Sequence, residues 1–175
     1  MNSKTITLIT MIIVFTLALI INQQHQSAPS KQNYEITNIA LPEVKFQTLS
    51  GKSLELNKLP GEVILLNFWA SWCAPCLAEF PSMLALVKQS KGKVKLVAIS
   101  IDKLEADARK FLSKIHYTES KYPNSYFAWD KDKEISKKQF STIKIPETFI
   151  IKDGKIVKKI IGGITWNEDV TKPYL

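Results

Sequence analysis

The chain contains two cysteines, Cys73 and Cys76, and both lie in the pentapeptide Trp72-Cys73-Ala74-Pro75-Cys76. Two intervening residues let the sulfurs meet across one turn of a helix. An apolar run over residues 63–70 precedes the pair and helical spacing follows it, so the first sulfur falls at a helix N-terminus. Unpaired amides and the helix dipole stabilise a thiolate there, and the thiolate is the attacking species in thiol–disulfide exchange. Cys73 is therefore expected to be the nucleophile that forms a mixed disulfide, and Cys76, one turn inside, to resolve it. Pro75 stiffens the turn where a backbone N–H would lack a helical partner in any case. With both cysteines in one motif, the pair is kept for exchange rather than for stapling. Zinc requires four ligands, and the two histidines, His25 and His116, have no partner at ligand spacing. No metal and no cofactor are expected.

The elements that must hold this pair read as an alternating chain. Residues 63–70 have the pattern of a strand buried on both faces. Leu77, Phe80, Leu84 and Val87 predict a helix over 75–89, which Pro81 is expected to kink or to end at its first segment. A second buried strand follows over 95–101. Leu104, Ala108, Phe111 and Ile115 predict an amphipathic helix over 104–115. A third strand over 125–129 leads to a short helix over 133–140. Residues 148–152 and 155–162 flank Asp153-Gly154, the strongest hairpin signal in the chain. A smaller hairpin is expected where residues 44–48 and 53–56 flank Ser50-Gly51. Strands alternating with helices and a closing hairpin mean an α/β domain with a mixed central sheet.

At 175 residues, 45% hydrophobic and 23% charged, the chain has enough apolar residues for one core and too many charges for a multi-span membrane protein. The net charge is +8, yet of 24 basic residues only Arg109 is an arginine, and lysines alternate with acids, as in Lys131-Asp132-Lys133-Glu134. Nucleic-acid readers lean on arginine forks, so the charge reads as a solvated face and no nucleic-acid partner is expected. Residues 5–21 are apolar apart from threonines, follow Lys4, and precede a stretch without formal charge up to Lys31. That run reaches the lower limit of a spanning helix, ~17 residues. The positive-inside rule puts its start in the cytoplasm. The expected organisation is a cytoplasmic tip over 1–4, a transmembrane signal anchor over 5–21, a flexible tether over 22–40 and a folded domain over 41–175. A cleaved secretory signal is the alternative, but its best site, after Ala28, has Gln26 where a small residue is required. Both readings put the domain outside the cytoplasm; the first makes the protein a single-pass protein of the inner membrane facing the periplasm.

Residues 41–163 resemble the thioredoxin fold, and more narrowly the membrane-anchored thiol–disulfide oxidoreductases of the TlpA, ResA and CcmG group, many of which serve cytochrome c maturation. The resemblance rests on Leu66-Asn67-Phe68-Trp69-Ala70-Ser71-Trp72-Cys73-Ala74-Pro75-Cys76, on Glu79-Phe80-Pro81 and on Ile145-Pro146-Glu147-Thr148-Phe149. It implies a thioredoxin-like mixed sheet flanked by helices, with an N-terminal hairpin. It implies that the Ile145–Pro146 bond is cis and packs against the cysteines, and that the backbone before it hydrogen-bonds a client chain as an added strand. A carboxylate at the position of Glu79 tunes the thiols in ResA-like proteins, since negative charge disfavours thiolate and suits a reductant. On pattern alone Glu79 reads equally as a solvated helix glutamate. Asn67 stands where ordinary thioredoxins carry a buried aspartate. Glu147 resembles the CcmG pattern and reads either as a client contact or as a strand residue facing water. Trp72 and Trp69 are expected to wall the site, with the core as the alternative for Trp69. Cys73, Cys76 and Pro146 are thus the expected catalytic residues, and Trp72, Ala74, Pro75, Glu79, Ile145 and Glu147 the tuning or client-contacting ones.

Departures from the pattern are also expected to matter. Residues 141–145 lack the glycine and aromatic pattern usual before the proline of CcmG. Only 12 residues follow Gly163, so the long final helix is missing or cut to a turn or two, and Trp166, Tyr174 and Leu175, or a partner, fill the exposed sheet face. The function implied is a membrane-tethered reductant of client disulfides, with apocytochrome c haem-attachment sites as clients and a membrane thiol-relay protein as electron donor. The Ala74-Pro75 dipeptide fits this direction, because strong oxidants of the fold carry a histidine there. A disulfide oxidase or isomerase of secreted proteins would keep the fold and reverse the direction. A copper-delivery module is the reading from a different class, and such proteins usually have three residues between the cysteines and a distant histidine ligand.

Overall fold

The computed structural model describes Asn2, residues 11–17 and residues 33–175. The chain divides into two units, Met1–Gln32 and Asn33–Leu175. In the first, residues 11–17 are helical, and Thr16 turns its hydroxyl back onto the carbonyls of Ile12 and Ile13 at 3.0 and 2.9 Å. A hydroxyl satisfied by its own helix adds little polarity to an apolar run. Among the described residues no helix is long and apolar enough to cross a membrane. Most of the anchor expected over 5–21, and of the tip over 1–4, lies outside the described residues, as do residues 22–32 of the tether.

The second unit is a three-layer domain built on a six-stranded sheet. In chain order it contains β1 (Asn33–Ala40), β2 (Lys45–Gln47), β3 (Ser53–Glu55), β4 (Val63–Trp69), α1 (Ala74–Gln89), β5 (Val94–Ser100), α2 (Glu105–Lys114), β6 (Ser125–Trp129), a π-helical turn (Glu134–Gln139), β7 (Glu147–Lys152), β8 (Lys155–Ile161) and α3 (Glu168–Thr171). The sheet order is β1-β8-β7-β4-β5-β6. β4, β5 and β6 run parallel, and β7, β8 and β1 are antiparallel to their neighbours, which makes the sheet mixed. β2 and β3 pair as a separate small hairpin.

Every residue of β4 and β5 is buried, which is why their sequences read as continuous apolar runs. Alternation splits β4 between two cores. Val63, Leu65 and Trp69 pack with Phe80, Met83, Leu84 and Val87 of α1 and with Ala108, Phe111 and Leu112 of α2. Ile64, Leu66 and Phe68 face the other side, covered by Val44, Phe46 and Leu56 around the hairpin and by Ile135 and Phe140 near the π-helical turn. Trp69 is at the centre of the first core, its ring centroid 5.1 Å from Phe80, 4.9 Å from Phe111 and 5.9 Å from Phe127.

Three expectations change. Residues 33–40, read as the end of the tether, form β1, paired from Asn33↔Ile161 to Ala40↔Lys155. Tyr34 and Ile36 alternate with polar neighbours over too short a stretch to stand out beside the polar residues before them, and backbone pairing holds the segment on the sheet edge. Pro81 does not end a first segment, since α1 runs unbroken over 16 residues. Burial of Phe80, Met83, Leu84, Leu86 and Val87 along α1 outweighs the one helical bond that proline cannot make. The helix expected over 133–140 is a π-helical turn, closed by the Phe140 amide donating to the Ile135 carbonyl at 3.1 Å. The buried Asp130 carboxylate holds its start, accepting from the Ile135 and Ser136 amides at 3.3 and 2.8 Å. After Gly163 the helical structure amounts, as expected, to a turn or two: the four residues of α3 and a following 3-10 turn, Lys172–Tyr174.

Candidate active site

The C-terminal ends of β4 and β5 lie side by side, with Trp69 paired to Ser100. Asp102, just past β5, ties down the loop that leaves β4. Its buried carboxylate accepts from the Ser71 amide at 3.1 and 3.0 Å, from the Ser71 hydroxyl at 2.9 Å and from the Ser100 hydroxyl at 2.7 Å. That loop delivers Cys73 as the N-cap of α1, with Pro75 in the first turn. Cys73 and Cys76 are joined as a disulfide, S–S 2.04 Å and Cα–Cα 5.3 Å, and the Cys76 amide donates to Cys73 Sγ at 3.3 Å. Cys73 keeps a sliver of accessible surface and Cys76 has none. Ala74 and Pro75 are exposed above the pair, and Trp72 beside it is 69% exposed.

The Ile145–Pro146 peptide bond is cis. The Pro146 carbonyl accepts from the Gly162 amide at 2.8 Å, and the next residue, Gly163, lies against Pro75. A Cβ on Gly163 would come within 3.1 Å of the Pro75 carbonyl oxygen and 3.2 Å of its Cβ. The end of β8 therefore touches both the proline loop and the cysteine turn. Ile145 is half-buried and packs against both cores.

Glu79 lies on α1, three residues beyond Cys76, and is 3% exposed, so it is not a solvated helix glutamate. Its Oε1 accepts from Asn67 Nδ2 at 2.9 Å. Its Oε2 accepts from the Trp166 indole N–H at 3.2 Å and from the Ile164 amide at 3.4 Å. Asn67 faces α1 from β4, opposite Thr148 in the β4/β7 register, and its Nδ2 also donates to Thr148 Oγ1 at 2.9 Å. Burial pushes the Glu79 carboxyl up to about 7, against the opposing pull of the donors from Trp166, Ile164 and Asn67. A carboxyl group with that acidity exchanges protons readily at neutral pH.

Glu147 is on the opposite face of the sheet. It is 1% exposed, so it does not face water. Its Oε1 lies 2.5 Å from Lys159 Nζ, which also sits 5.4 Å from the Phe149 ring centroid. Trp69 takes its alternative place, in the core. Among the described residues no group of three or more His, Cys, Asp and Glu side chains is placed to hold a metal ion. Sequence reasoning missed Asp102, Thr148 and Lys159. The contacts of Thr148 and Lys159 are set by strand register and those of Asp102 by the loop past β5, and none carries a local pattern, although Thr148 lies inside the proline motif.

The Redoxin family matches residues 37–173. A thiol-disulfide oxidoreductase ResA of Bacillus cereus is 39% identical over 119 residues, 67% of this chain and 65% of that protein, so the match spans a little under two thirds of that relative. The thioredoxin-like protein YneN of Bacillus subtilis (strain 168) is 31% identical over 131 residues, 73% of this chain and 72% of that protein. The solution structure of a thiol:disulfide interchange protein from Bacteroides sp. superposes with a TM-score of 0.62 at 25% identity, covering 79% of this chain and 90% of that one. With a cis proline and a disulfide-bonded Cys-x-x-Cys turn both touched by the end of β8, the chain belongs to the redoxin family, as a thioredoxin-fold protein related to the ResA thiol-disulfide oxidoreductases.

Proposed function

We propose that the protein is a membrane-tethered, extracytoplasmic thiol–disulfide oxidoreductase that reduces disulfides in client proteins, the Cys-x-x-Cys-His haem-attachment segments of apocytochrome c among them. One observation carries the reading: of two cysteines at a helix N-terminus, only Cys73 reaches the surface, and a buried carboxyl group, Glu79, lies one turn beyond its partner. In the reduced pair, the Cys73 thiolate attacks one sulfur of a client disulfide. The client S–S bond breaks, its second sulfur leaves as a thiolate, and a Cys73–client mixed disulfide forms. Cys76 then gives its proton to the Glu79 carboxylate and attacks Cys73 Sγ. The remaining client sulfur leaves and is protonated, and the Cys73–Cys76 disulfide closes. Two electrons reach the client; the proton Glu79 took from Cys76 passes to the second client sulfur, the first client thiolate takes its proton from water in place of the one Cys73 released, and a membrane thiol-relay donor restores the dithiol by the same exchange. Pro146 and the backbone at Ile145 would align the client as an added strand, with Trp72, Ala74 and Pro75 as the surface it meets.

The direction of flow rests on the absence of a histidine between the cysteines and on Glu79, which opposes thiolate formation nearby when ionised. The test is the equilibrium reduction potential of the pair on the detergent-solubilised full chain. A value below roughly −220 mV is expected for a donor of electrons, whereas one near about −120 mV would mark an oxidant and redirect the reading to disulfide formation in secreted proteins. With an oxidised Cys-x-x-Cys-His peptide, Cys76→Ser is expected to accumulate the mixed disulfide and Cys73→Ser to form none. Full exchange activity in Cys73→Ser would overturn the mechanism.

A further inference from the structure

The C-terminal segment does more than cover a sheet face. Three of its groups reach α1: the Ile164 amide and the Trp166 indole N–H both donate to Glu79 Oε2, and the Trp166 amide donates to the Ser82 hydroxyl at 3.0 Å. From the sheet, Asn67 takes the other carboxylate oxygen. Glu79 is thus gripped at both oxygens by donors from two separate parts of the chain, in a pocket closed by Trp166, itself 3% exposed. We propose that Trp166 and Asn67 are positioning residues for Glu79: they fix its carboxyl group behind the cysteine turn and make the C-terminal segment a working part of the redox site. The inference rests on the reading of Glu79 given above.

The groups facing Glu79 leave little else to govern its ionisation. On α1 itself they are the cysteines, which carry no charge as a disulfide. From β4 comes Asn67, from β7 Thr148, and from the C-terminal segment Ile164 and Trp166, all neutral. The ion pair of Glu147 with Lys159 belongs to the other face of the sheet. Two neutral side-chain donors therefore favour the carboxylate against the burial that disfavours it. Removing one of them should keep the carboxyl protonated to higher pH. A hydrogen bond to a charged group is worth enough to move a titration midpoint by about one pH unit.

The experiment follows Glu79 in the full chain by the carbonyl stretch of its protonated carboxyl group in infrared difference spectra, assigned by its loss in Glu79→Gln. In Trp166→Phe, which keeps an aromatic ring and deletes the donor, the midpoint is expected to rise by about one pH unit. The acidic limb of the rate of exchange with oxidised glutathione is expected to rise with it. If Trp166→Phe folds poorly, benzothienylalanine at position 166, which keeps the bicyclic shape without the N–H, isolates the same bond. Asn67→Ala should move the midpoint in the same direction. An unchanged midpoint in both aromatic variants would overturn the inference. Failure of the underlying reading looks different: the Glu79→Gln protein would itself keep the wild-type pH–rate profile.

Discussion

A carboxyl group withdrawn from water is a weaker acid, and for Glu79 that has a consequence for stability as well as for exchange. Unfolded, the group ionises near its ordinary 4.5; folded, it ionises at about 7. Between those values the folded state holds a proton that the unfolded state has released. Its contribution is therefore fully present below pH 4.5 and is lost as pH rises through 7. A difference of about 2.5 pH units corresponds to ~3 kcal/mol. Glu79→Gln is neutral at every pH and removes this slope. In urea titrations from pH 4 to 8, the wild type is expected to lose stability relative to Glu79→Gln up to about pH 7 and to run parallel above it. Parallel curves throughout would mean that the folded protein leaves Glu79 with ordinary acidity. The sequence made this residue visible only as an alternative. Its place after the cysteines suggested tuning, but helical spacing cannot distinguish a solvated glutamate from one roofed by an indole 87 positions later.

Among elements, the end of β8 is the part that joins the two halves of the site. The Gly162 amide meets the carbonyl of Pro146, and Gly163 lies on Pro75, so the proline loop and the N-terminus of α1 are held in one register. Gly163→Ala puts a methyl group 3.1 Å from a backbone oxygen at the capped start of a helix, so that Pro75 must give by a few tenths of an ångström. Overpacking of this kind is expected to cost about 1–3 kcal/mol. It should also shift the amide NMR signals of Ala74 and Cys76 more than those of the β2–β3 hairpin. A variant with wild-type stability and unshifted signals at the turn would show that the contact carries no load. The elements themselves were largely legible. β4 and β5 announce themselves by unbroken burial, and the Asp153-Gly154 turn joins β7 to β8 with Lys152 opposite Lys155, as a two-residue hairpin requires. β1 was not read as a strand, because its alternation is confined to Tyr34 and Ile36 among polar neighbours and continues a polar stretch. The π-helical turn was not legible either, since Ile135 and Phe140 fit several helical periods and the buried Asp130 that holds its start reads in sequence as one more surface charge.

For the domain as a whole, residues 164–175 act through their contacts more than through regular structure. Trp166 fills the first core beside Phe80 and Met83 and roofs Glu79, while Val170 and Tyr174 pack at its margin. A chain ending at Gly163 would lose a buried tryptophan, whose truncation alone costs about 3–5 kcal/mol. It would also open Glu79 to water. The two effects are separable. If the segment only fills space, the shortened protein should be less stable by that amount at every pH. If the segment also governs Glu79, the carboxyl group returns toward its ordinary 4.5 and the pH slope of stability disappears with it. The expected result is therefore a lower urea midpoint together with a flat difference from the shortened Glu79→Gln protein between pH 4.5 and 7. A shortened protein that is destabilised yet keeps the wild-type slope would show that burial by α1 and the sheet suffices to raise Glu79, and that the C-terminal segment is packing alone.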